Sequence, residues 1–352
     1  MVIVTLAGMV LPALALLLLL VAAILAGNKL LSAPGYRGPV SGHFDGVRFR
    51  NRESNGAPGS GEGFSGAGMG SNRWKWRENR FRARPRERVW GREVVVTFVN
   101  HATVLIQTAG VNILTDPVWS WRAGPLPFLG PRRYRDPGVR FEDLPPIDLV
   151  LVSHNHYDHL DLPTLRRLRA KWRPRIYTGL GNAAYLKHRH IGGAVDLDWW
   201  DRRQVSGTVA VVAVPARHFS ARALSDRDRT LWCGFVLETP AGDIFFAGDT
   251  AYGPFIGEIH RQWREFRLAL LPIGAFLPRR SMQAVHTSPD EALAMHHELG
   301  ARISVGIHFG TFPMAADGQD VPAERVGELL RQAPEPAFIL LENGQSLTVR
   351  DD

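Results

Sequence analysis

Three histidines and one aspartate fall within six consecutive positions, His154 to His159, in the pattern His-x-His-x-Asp-His. They directly follow IDLVLVS at 147–153, an apolar run that is typical of a buried strand. Burying three imidazoles and a carboxylate without partners would cost about 2 kcal/mol or more per group. Imidazole and carboxylate are ligands that suit zinc, and also iron or manganese. The pattern therefore predicts a metal site at the end of this strand.

Further metal-competent side chains stand at the ends of three other predicted strands, and loops at strand ends are where rigid scaffolds display functional groups. The first ion would have three nitrogen ligands, His154, His156 and His218. The second would have nitrogen and oxygen ligands, Asp158, His159 and His308. Asp249 would bridge them. Two ions held about 3.5–4 Å apart form a clamp for in-line displacement at an ester centre.

The elements that must position these residues are mostly short strands. From Glu93 onward the sequence contains apolar runs of strand length. The first of these is VVVTFVNHATVLIQT at 94–108. LPTLRRLRAKW at 162–172 has leucines at helical spacing. A second helix begins at Ser288, with Pro at its first position and Glu291 completing a capping box, and ends at Gly300. Many strands with a few helices predict an α/β domain whose sheets are covered by helices.

The N-terminal part of the chain differs from the rest. Residues 2–26 contain no charged side chain. This uncharged segment is longer than the ~20 residues that a membrane-spanning helix needs. The first basic residues, Lys29 and Arg37, come after this segment, so the positive-inside rule predicts a single-pass anchor with the remainder in the cytoplasm. A secretory signal is the alternative, but such signals carry a basic n-region that is missing before Lys29.

Two further stretches precede the strands. Residues 51–72 are rich in Gly and Ser and predict a flexible linker or a mobile loop. Residues 72–92 interleave Lys and Arg with aromatic residues, which suits an anionic membrane surface or a nucleic-acid backbone, or else a solvated linker docked on the domain. The apolar segment favours lipid, so no nucleic-acid partner is expected. The predicted organisation is an anchor at 1–28, an extension at 29–92 and a hydrolase domain at 93–352.

The length, charge and cysteine content of the chain restrict the kinds of site that it can form. The chain has 352 residues, a net charge of +8 and a single Cys233. This cysteine has no partner for an internal disulfide or a cysteine-based zinc site, so any metal must be held by His, Asp and Glu. His43, His188, His190, His260, His296 and His297 lack the clustered spacing and are read as structural residues.

Several short sequence motifs resemble those of a known protein family. SHNHYDHLD, AGDT and GIHFGTF resemble the metallo-β-lactamase fold hydrolases. GPVSGHFDGVRF, NHATVLI, LTDPVWS and LLPIGAFLPR narrow this to the branch of the N-acyl-phosphatidylethanolamine-hydrolysing phospholipase D and its bacterial relatives. The resemblance extends from about Gly38 to the C-terminus. It implies a four-layer αββα sandwich with two zinc ions at one edge, held by the seven side chains already named.

The resemblance also implies roles near the metals. His286 matches a family histidine near the centre, where it would contact substrate phosphate or protonate the leaving group, while Val285 replaces a family Gln. Tyr157 is a candidate to line the site or to fill space beneath the loop. His101 is interpreted as a structural residue that supports the ligands, and Asp116 as a residue that shapes its loop.

These residues predict a two-metal hydrolase that cleaves a phosphodiester, and the resemblance implies that the metals are zinc and that the substrate is N-acyl-phosphatidylethanolamine or a related phospholipid. A metal-bridging hydroxide, steered by Asp158, would attack phosphorus, with Asp249 and His286 also catalytic. Alternatives are a lactonase acting on a phosphorylated sugar lactone, a nuclease, or a catalytically silent membrane-bound binding module. The expected partners are the phospholipid or small phosphodiester substrate and the membrane, and a homodimer stays open.

Overall fold

The computed structural model describes residues 2–52, 74–332 and 337–350. From residue 53 onward, the predicted Gly/Ser-rich linker at 51–72 lies outside these described residues. The chain begins with a helix, α1 (Val2–Leu31), and the first long strand starts at Val94. The division between an extension and a hydrolase domain at residue 93 stays a prediction.

Two seven-stranded sheets form the body of the protein. The first has the order β14-β1-β2-β3-β4-β5-β6, with strands β1 (Val94–Asn100), β2 (Thr103–Thr108), β3 (Val111–Thr115), β4 (Leu149–Val152), β5 (Arg175–Gly179), β6 (Ala194–Leu197) and β14 (Ser346–Val349). The second has the order β13-β12-β11-β10-β9-β8-β7, with strands β7 (Arg202–Gln204), β8 (Ala210–Val214), β9 (Gly234–Glu238), β10 (Ile244–Phe246), β11 (Leu268–Pro272), β12 (Ser304–Ile307) and β13 (Phe338–Ile339).

Helices cover the outer face of each sheet, and the bounds are α2 (Leu162–Lys171), α3 (Asn182–His188), α4 (Phe255–Trp263), α5 (Arg279–Met282), α6 (Pro289–Glu298) and α7 (Val321–Gln332). Leu165 of α2 packs on the first sheet beside Val150. Met295 of α6 packs on the second beside Leu271. A third apolar core joins the two sheets. These three cores separate four layers, so the expected αββα sandwich is confirmed.

Helix α6 begins as its sequence predicted. The Ser288 side chain accepts a hydrogen bond from the Glu291 N–H, and the Glu291 carboxylate accepts one from the Ser288 N–H. The helix stops before Gly300, which adopts a positive φ of 62° that favours glycine. Helices α3 and α4 have no side-chain hydrogen bond at their N-caps, and these two helices, together with α5 and α7, were not predicted.

The run at 94–108, predicted as one strand, is a hairpin of β1 and β2 in the structure. The prediction of a single strand was wrong because His101 adopts a φ of +50°, which breaks the extended backbone. The His101 N–H donates to Thr311 Oγ1 at 3.1 Å, and its carbonyl accepts from the His308 N–H at 2.8 Å. The turn is therefore fastened to the loop that follows β12.

The segments before β1 are attached to the sandwich. Phe44 and Phe49 are buried in the core between the sheets. Within the basic and aromatic stretch, the Trp76 ring lies 5.5 Å from that of Trp121, whereas Trp90 packs beside Gly110 at the opposite end of β3 from Asp116. The aromatic residues of this stretch thus reach two different ends of the molecule.

Helix α1 contains one candidate membrane span. No residue of Leu14–Leu31 is buried, and the segment is long and apolar enough to cross a bilayer. A signal sequence satisfies the same criterion, so the anchor and its cytoplasmic orientation stay predictions.

Candidate metal centre

The structure brings all seven predicted ligands to one edge of the sandwich. The His-x-His-x-Asp-His motif follows β4 of the first sheet, and the loops after β8, β10 and β12 of the second sheet supply the remaining three ligands, His218, Asp249 and His308. The sandwich is needed for this convergence, since neither sheet alone carries the whole set.

The three predicted nitrogen ligands of the first ion form one group. His156 Nδ1 lies 2.8 Å from His154 Nε2 and 3.3 Å from His218 Nε2. Burial, reinforced by neighbouring imidazoles, lowers the pKa of His154 and His156 well below the usual value. Burial also lowers the pKa of His218 to about 4. Neutral imidazoles have a lone pair to offer a metal ion.

The predicted ligands of the second ion form a mixed group that also includes His101. Asp158 Oδ2 lies 3.3 Å from His159 Nε2, 3.4 Å from His308 Nε2 and 3.0 Å from His101 Nε2. Although burial acts in the opposite direction, the surrounding histidines hold the pKa of Asp158 well below its usual range. His101 thus contacts a predicted ligand directly, in agreement with a supporting role.

Asp249 lies between the two groups. Its Oδ2 is 3.1 Å from His159 Nε2, 3.1 Å from His308 Nε2 and 3.9 Å from His218 Nε2. The pKa of Asp249 is held well below its usual range by His159 and His308, which overcome the opposing effect of burial. A bridging ligand has to stand in this position, and its bridging role remains a prediction.

Asp116 does more than the sequence suggested. Its Oδ2 accepts from Ser153 Oγ at 2.6 Å and lies 2.6 Å from His159 Nδ1, so the proton of neutral His159 is on Nδ1. Ser153 Oγ lies 2.9 Å from His154 Nδ1 and, because its own proton is donated to Asp116, accepts a hydrogen bond from the Nδ1–H of His154. One buried carboxylate therefore turns the free nitrogens of two predicted ligands toward the centre.

This donor set fits divalent cations. With its proton on Nδ1, His159 directs the Nε2 lone pair at carboxylate oxygens of Asp158 and Asp249, and lone pairs that face each other repel. His159 Nε2 and Asp249 Oδ1 also have no hydrogen-bond partner among the described residues, and an unmet buried polar atom costs about 1–3 kcal/mol. A cation removes both penalties. Without one, the carboxylates of Asp249, Asp158 and Asp116 outweigh the opposing effect of burial and raise the pKa of His159 well above its usual value.

His286 lies beside the centre, as the resemblance implied. Its Nδ1 is 3.9 Å from Asp249 Oδ2 and has no hydrogen-bond partner within the described part of the chain. The preceding residue, Val285, accepts a hydrogen bond from His218 Nδ1 through its carbonyl at 2.8 Å. That contact uses the backbone, so the replacement of the family Gln by Val leaves it unchanged.

Tyr157 lies on the rim of the centre. Its hydroxyl donates to the Arg222 carbonyl at 2.8 Å, and the Arg222 guanidinium stacks 3.6 Å above its ring. The ring packs with a small apolar cluster of Val118, Ala123 and Phe312. Its hydroxyl is therefore already hydrogen-bonded to the backbone, so any contact with substrate would be made by the ring.

Comparison with known proteins defines the class. Residues 111–309, more than half of the chain, match the beta-lactamase superfamily domain. A UPF0173 metal-dependent hydrolase of Methanopyrus kandleri is 27% identical over 71% of this chain and 98% of its own length. The isothiocyanate hydrolase from Delia radicum gut bacteria shares the fold, with a TM-score of 0.58 at 20% identity over 72% of this chain and 98% of that one. The chain therefore belongs to the beta-lactamase superfamily and is a metal-dependent hydrolase.

The comparison also narrows the branch. N-acyl-phosphatidylethanolamine-hydrolyzing phospholipase D 1 of Caenorhabditis elegans is 35% identical over 267 residues, which cover 71% of this chain and 74% of that protein. The resemblance inferred from the motifs is thereby confirmed.

Proposed function

We propose that this hydrolase cleaves a phosphodiester bond in a phospholipid, with N-acyl-phosphatidylethanolamine or a closely related lipid as substrate. The observation that carries the proposal is the carboxylate of Asp249, whose Oδ2 lies within 3.1–3.9 Å of imidazole nitrogens from both ligand groups. Such a bridged pair of sites suits a substrate that presents two oxygens of one phosphoryl group. The similarity to the Caenorhabditis elegans phospholipase supports the lipid part of the proposal.

Two zinc ions per chain, or iron or manganese in their place, would be held by the two ligand groups. When bound, they would activate water near neutral pH and offset negative charge on the phosphoryl oxygens. The chain itself does the positioning. Asp158 and Asp249 supply the negative charge that retains the cations, and Asp116 keeps the His159 and His154 nitrogens aimed at them. The buried walls exclude bulk water from this polar centre, which strengthens every charge interaction inside it.

His286 is proposed to hold a phosphoryl oxygen of the substrate. It is buried, its Nδ1 is unpaired within the described residues, and its ring centroid lies 5.1 Å from that of His218 and 5.5 Å from that of His308. It belongs to neither predicted ligand set. A nitrogen of His286 nonetheless lies close enough to His218 and Asp249 for the three side chains to hold an ion, so a role in substrate binding has to be separated from a ligand role by measuring metal content.

Replacing His286 with Ala is expected to lower kcat/KM for a phosphodiester by about 100-fold or more, because removing one positioned hydrogen-bond donor costs about that factor. Metal content should stay at the level of the native protein, which separates a substrate contact from a ligand. His297→Ala, at an exposed position on α6, is the matched control. Loss of metal from His286→Ala would show instead that His286 is a ligand.

The substrate class is tested by incubating the pure protein with a total lipid extract and following every lipid by mass spectrometry. We expect loss of N-acyl-phosphatidylethanolamine or a related phospholipid, with phosphatidic acid and the headgroup alcohol as products. Phosphorylated sugar lactones are assayed in parallel. Lactone turnover without any phosphodiester turnover would contradict the proposal and favour attack at a carbonyl carbon.

We further propose that α1 anchors the protein in a membrane. The segment Leu14–Leu31 has the required length and apolarity. Lys29 and Arg37 follow it, which favours a cytoplasmic hydrolase domain. Retention in the membrane pellet after alkaline carbonate extraction tests the anchor.

A further inference from the structure

The C-terminal end of α1 is fastened to the body of the protein. The Asn28 side chain donates to Ser225 Oγ at 2.7 Å and accepts from the Ser225 N–H at 3.1 Å. The Ala33 N–H donates to Asp226 Oδ2 at 2.7 Å, and the Arg189 guanidinium donates to the Leu30 carbonyl. A helix held by this many contacts has a set direction relative to the domain. If α1 spans a membrane, one particular face of the domain therefore meets the bilayer.

That attachment point also supports the metal-binding loop. The loop at 220–228 carries the buried Arg222, whose Nη1 donates to the carbonyls of Asn155 at 2.9 Å and Leu160 at 2.8 Å. Its guanidinium also stacks on Tyr157. Arg222 is only four positions before Asp226, which holds the end of α1. The anchor and the metal-binding motif are therefore fastened to the same loop.

A second loop lies on the other side of Tyr157. The apolar cluster of Val118, Ala123 and Phe312 joins the Tyr157 ring to the loop at 119–132. This loop exposes four large apolar side chains, Trp121, Leu126, Phe128 and Leu129. The loop at 220–228 exposes Leu224, which is 85% accessible. We call the loops 119–132 and 220–228 the rim loops, because Tyr157 lies between them.

The metal centre reaches the surface at this rim. His156 and Tyr157 are the only half-buried residues of the motif from His154 to His159. His156 contacts Phe219 with ring centroids 4.4 Å apart, and the Arg227 guanidinium lies 4.2 Å above the Phe219 ring. Arg132 on the first rim loop is also exposed. Exposed apolar side chains with cations beside them complement the acyl chains and phosphates of a lipid surface.

We propose that both rim loops insert their exposed apolar side chains into the surface of the same bilayer that α1 spans, so that the metal centre opens directly onto lipid headgroups. Five large apolar side chains exposed on the two rim loops are unusual for a surface that meets only water. This inference rests on the proposed anchoring by α1. It does not depend on which headgroup is hydrolysed.

The test uses the full chain in vesicles of phosphatidylethanolamine and phosphatidylglycerol, with single cysteines labelled by an environment-sensitive fluorophore. Phe128→Cys and Leu224→Cys probe the rim loops, while the native Cys233 is buried. Trp90→Cys is the matched control, because Trp90 is 71% exposed, close to the 74% of Phe128, and packs beside Gly110 at the opposite end of β3.

We expect a several-fold rise in emission at positions 128 and 224 on reconstitution, with quenching by spin-labelled lipids, and neither change at position 90. Labels at 128 and 224 that stay accessible to aqueous iodide in carbonate-resistant protein would overturn the proposal. Release of the chain by carbonate would show that α1 is not an anchor, and the proposal would fail with it. Cross-linking of two chains through position 128 would show that this face binds a second copy of the chain instead of the bilayer. Phosphodiester turnover in the same vesicles reports on the proposed reaction separately.

Discussion

Replacing Asp249 with Ala is expected to abolish phosphodiester hydrolysis and to reduce bound metal from about two ions per chain to one or fewer. Asp249 Oδ2 faces nitrogens of both ligand groups, at 3.1 Å from His159 and His308 and 3.9 Å from His218. Its removal takes away a negative charge that both ions would share. We expect kcat/KM to fall by at least ~1000-fold, equivalent to about 4 kcal/mol of transition-state stabilisation.

The measurements are elemental analysis and steady-state kinetics on the same preparation. Asp243→Ala is the matched control, because Asp243 directly precedes the same strand, β10, at the end away from the centre. It should keep native metal content. A thermal unfolding curve shows whether Asp249→Ala is folded. A folded Asp249→Ala protein that keeps both ions or its activity would show that the bridging assignment is wrong.

Removing metal with a chelator is expected to abolish activity and to lower Tm by about 10 °C. The two ligand groups bury the carboxylates of Asp158 and Asp249 among imidazoles, and His159 Nε2 lacks a hydrogen-bond partner among the described residues. An ion present at about 1000 times its Kd stabilises the folded state by about 4 kcal/mol. For a domain of this size, each kcal/mol corresponds to roughly 2–4 °C in Tm.

Calorimetry of the native, stripped and reconstituted protein measures this shift. Separate additions of Zn²⁺, Mn²⁺ and Fe²⁺ identify the ion that restores both Tm and turnover. The chelator should lower the Tm of Asp249→Ala by less than that of the native protein, since the variant is expected to hold at most one ion. Full activity after verified removal of metal would contradict a metal-dependent reaction at this centre.

The seven side chains predicted to bind metal could be chosen from the sequence, and expected to lie together, because each of them has a local signal. His154, His156, Asp158 and His159 are adjacent in one motif, and His218, Asp249 and His308 each follow an apolar run that forms a strand. Helix α6 was predicted for the same reason, since its cap consists of neighbouring residues. Such signals act over a few positions and need no knowledge of distant contacts.

Other features had no local signal. His101 lies within a run of strand-forming residues, and the turn that it makes depends on its contacts with Thr311 and the His308 backbone. Asp116 was interpreted as a loop-shaping residue. Its contact with His159 exists only because β3 and β4 are parallel neighbours whose C-terminal ends meet at one edge. Strand pairing of this kind is decided by the packing of the whole sandwich.

The sequence by itself determined which side chains are available for metal, which segment is apolar enough to cross a membrane, and that the domain is an α/β layered structure. These properties follow from residue type and spacing alone. The tertiary structure decided that Asp249 stands between the ligand groups, that Asp116 orients two histidines, and that the end of α1 is fastened beside the metal-binding loop. Each of these joins residues far apart in the chain, and only the packing of two sheets brings them within hydrogen-bonding distance.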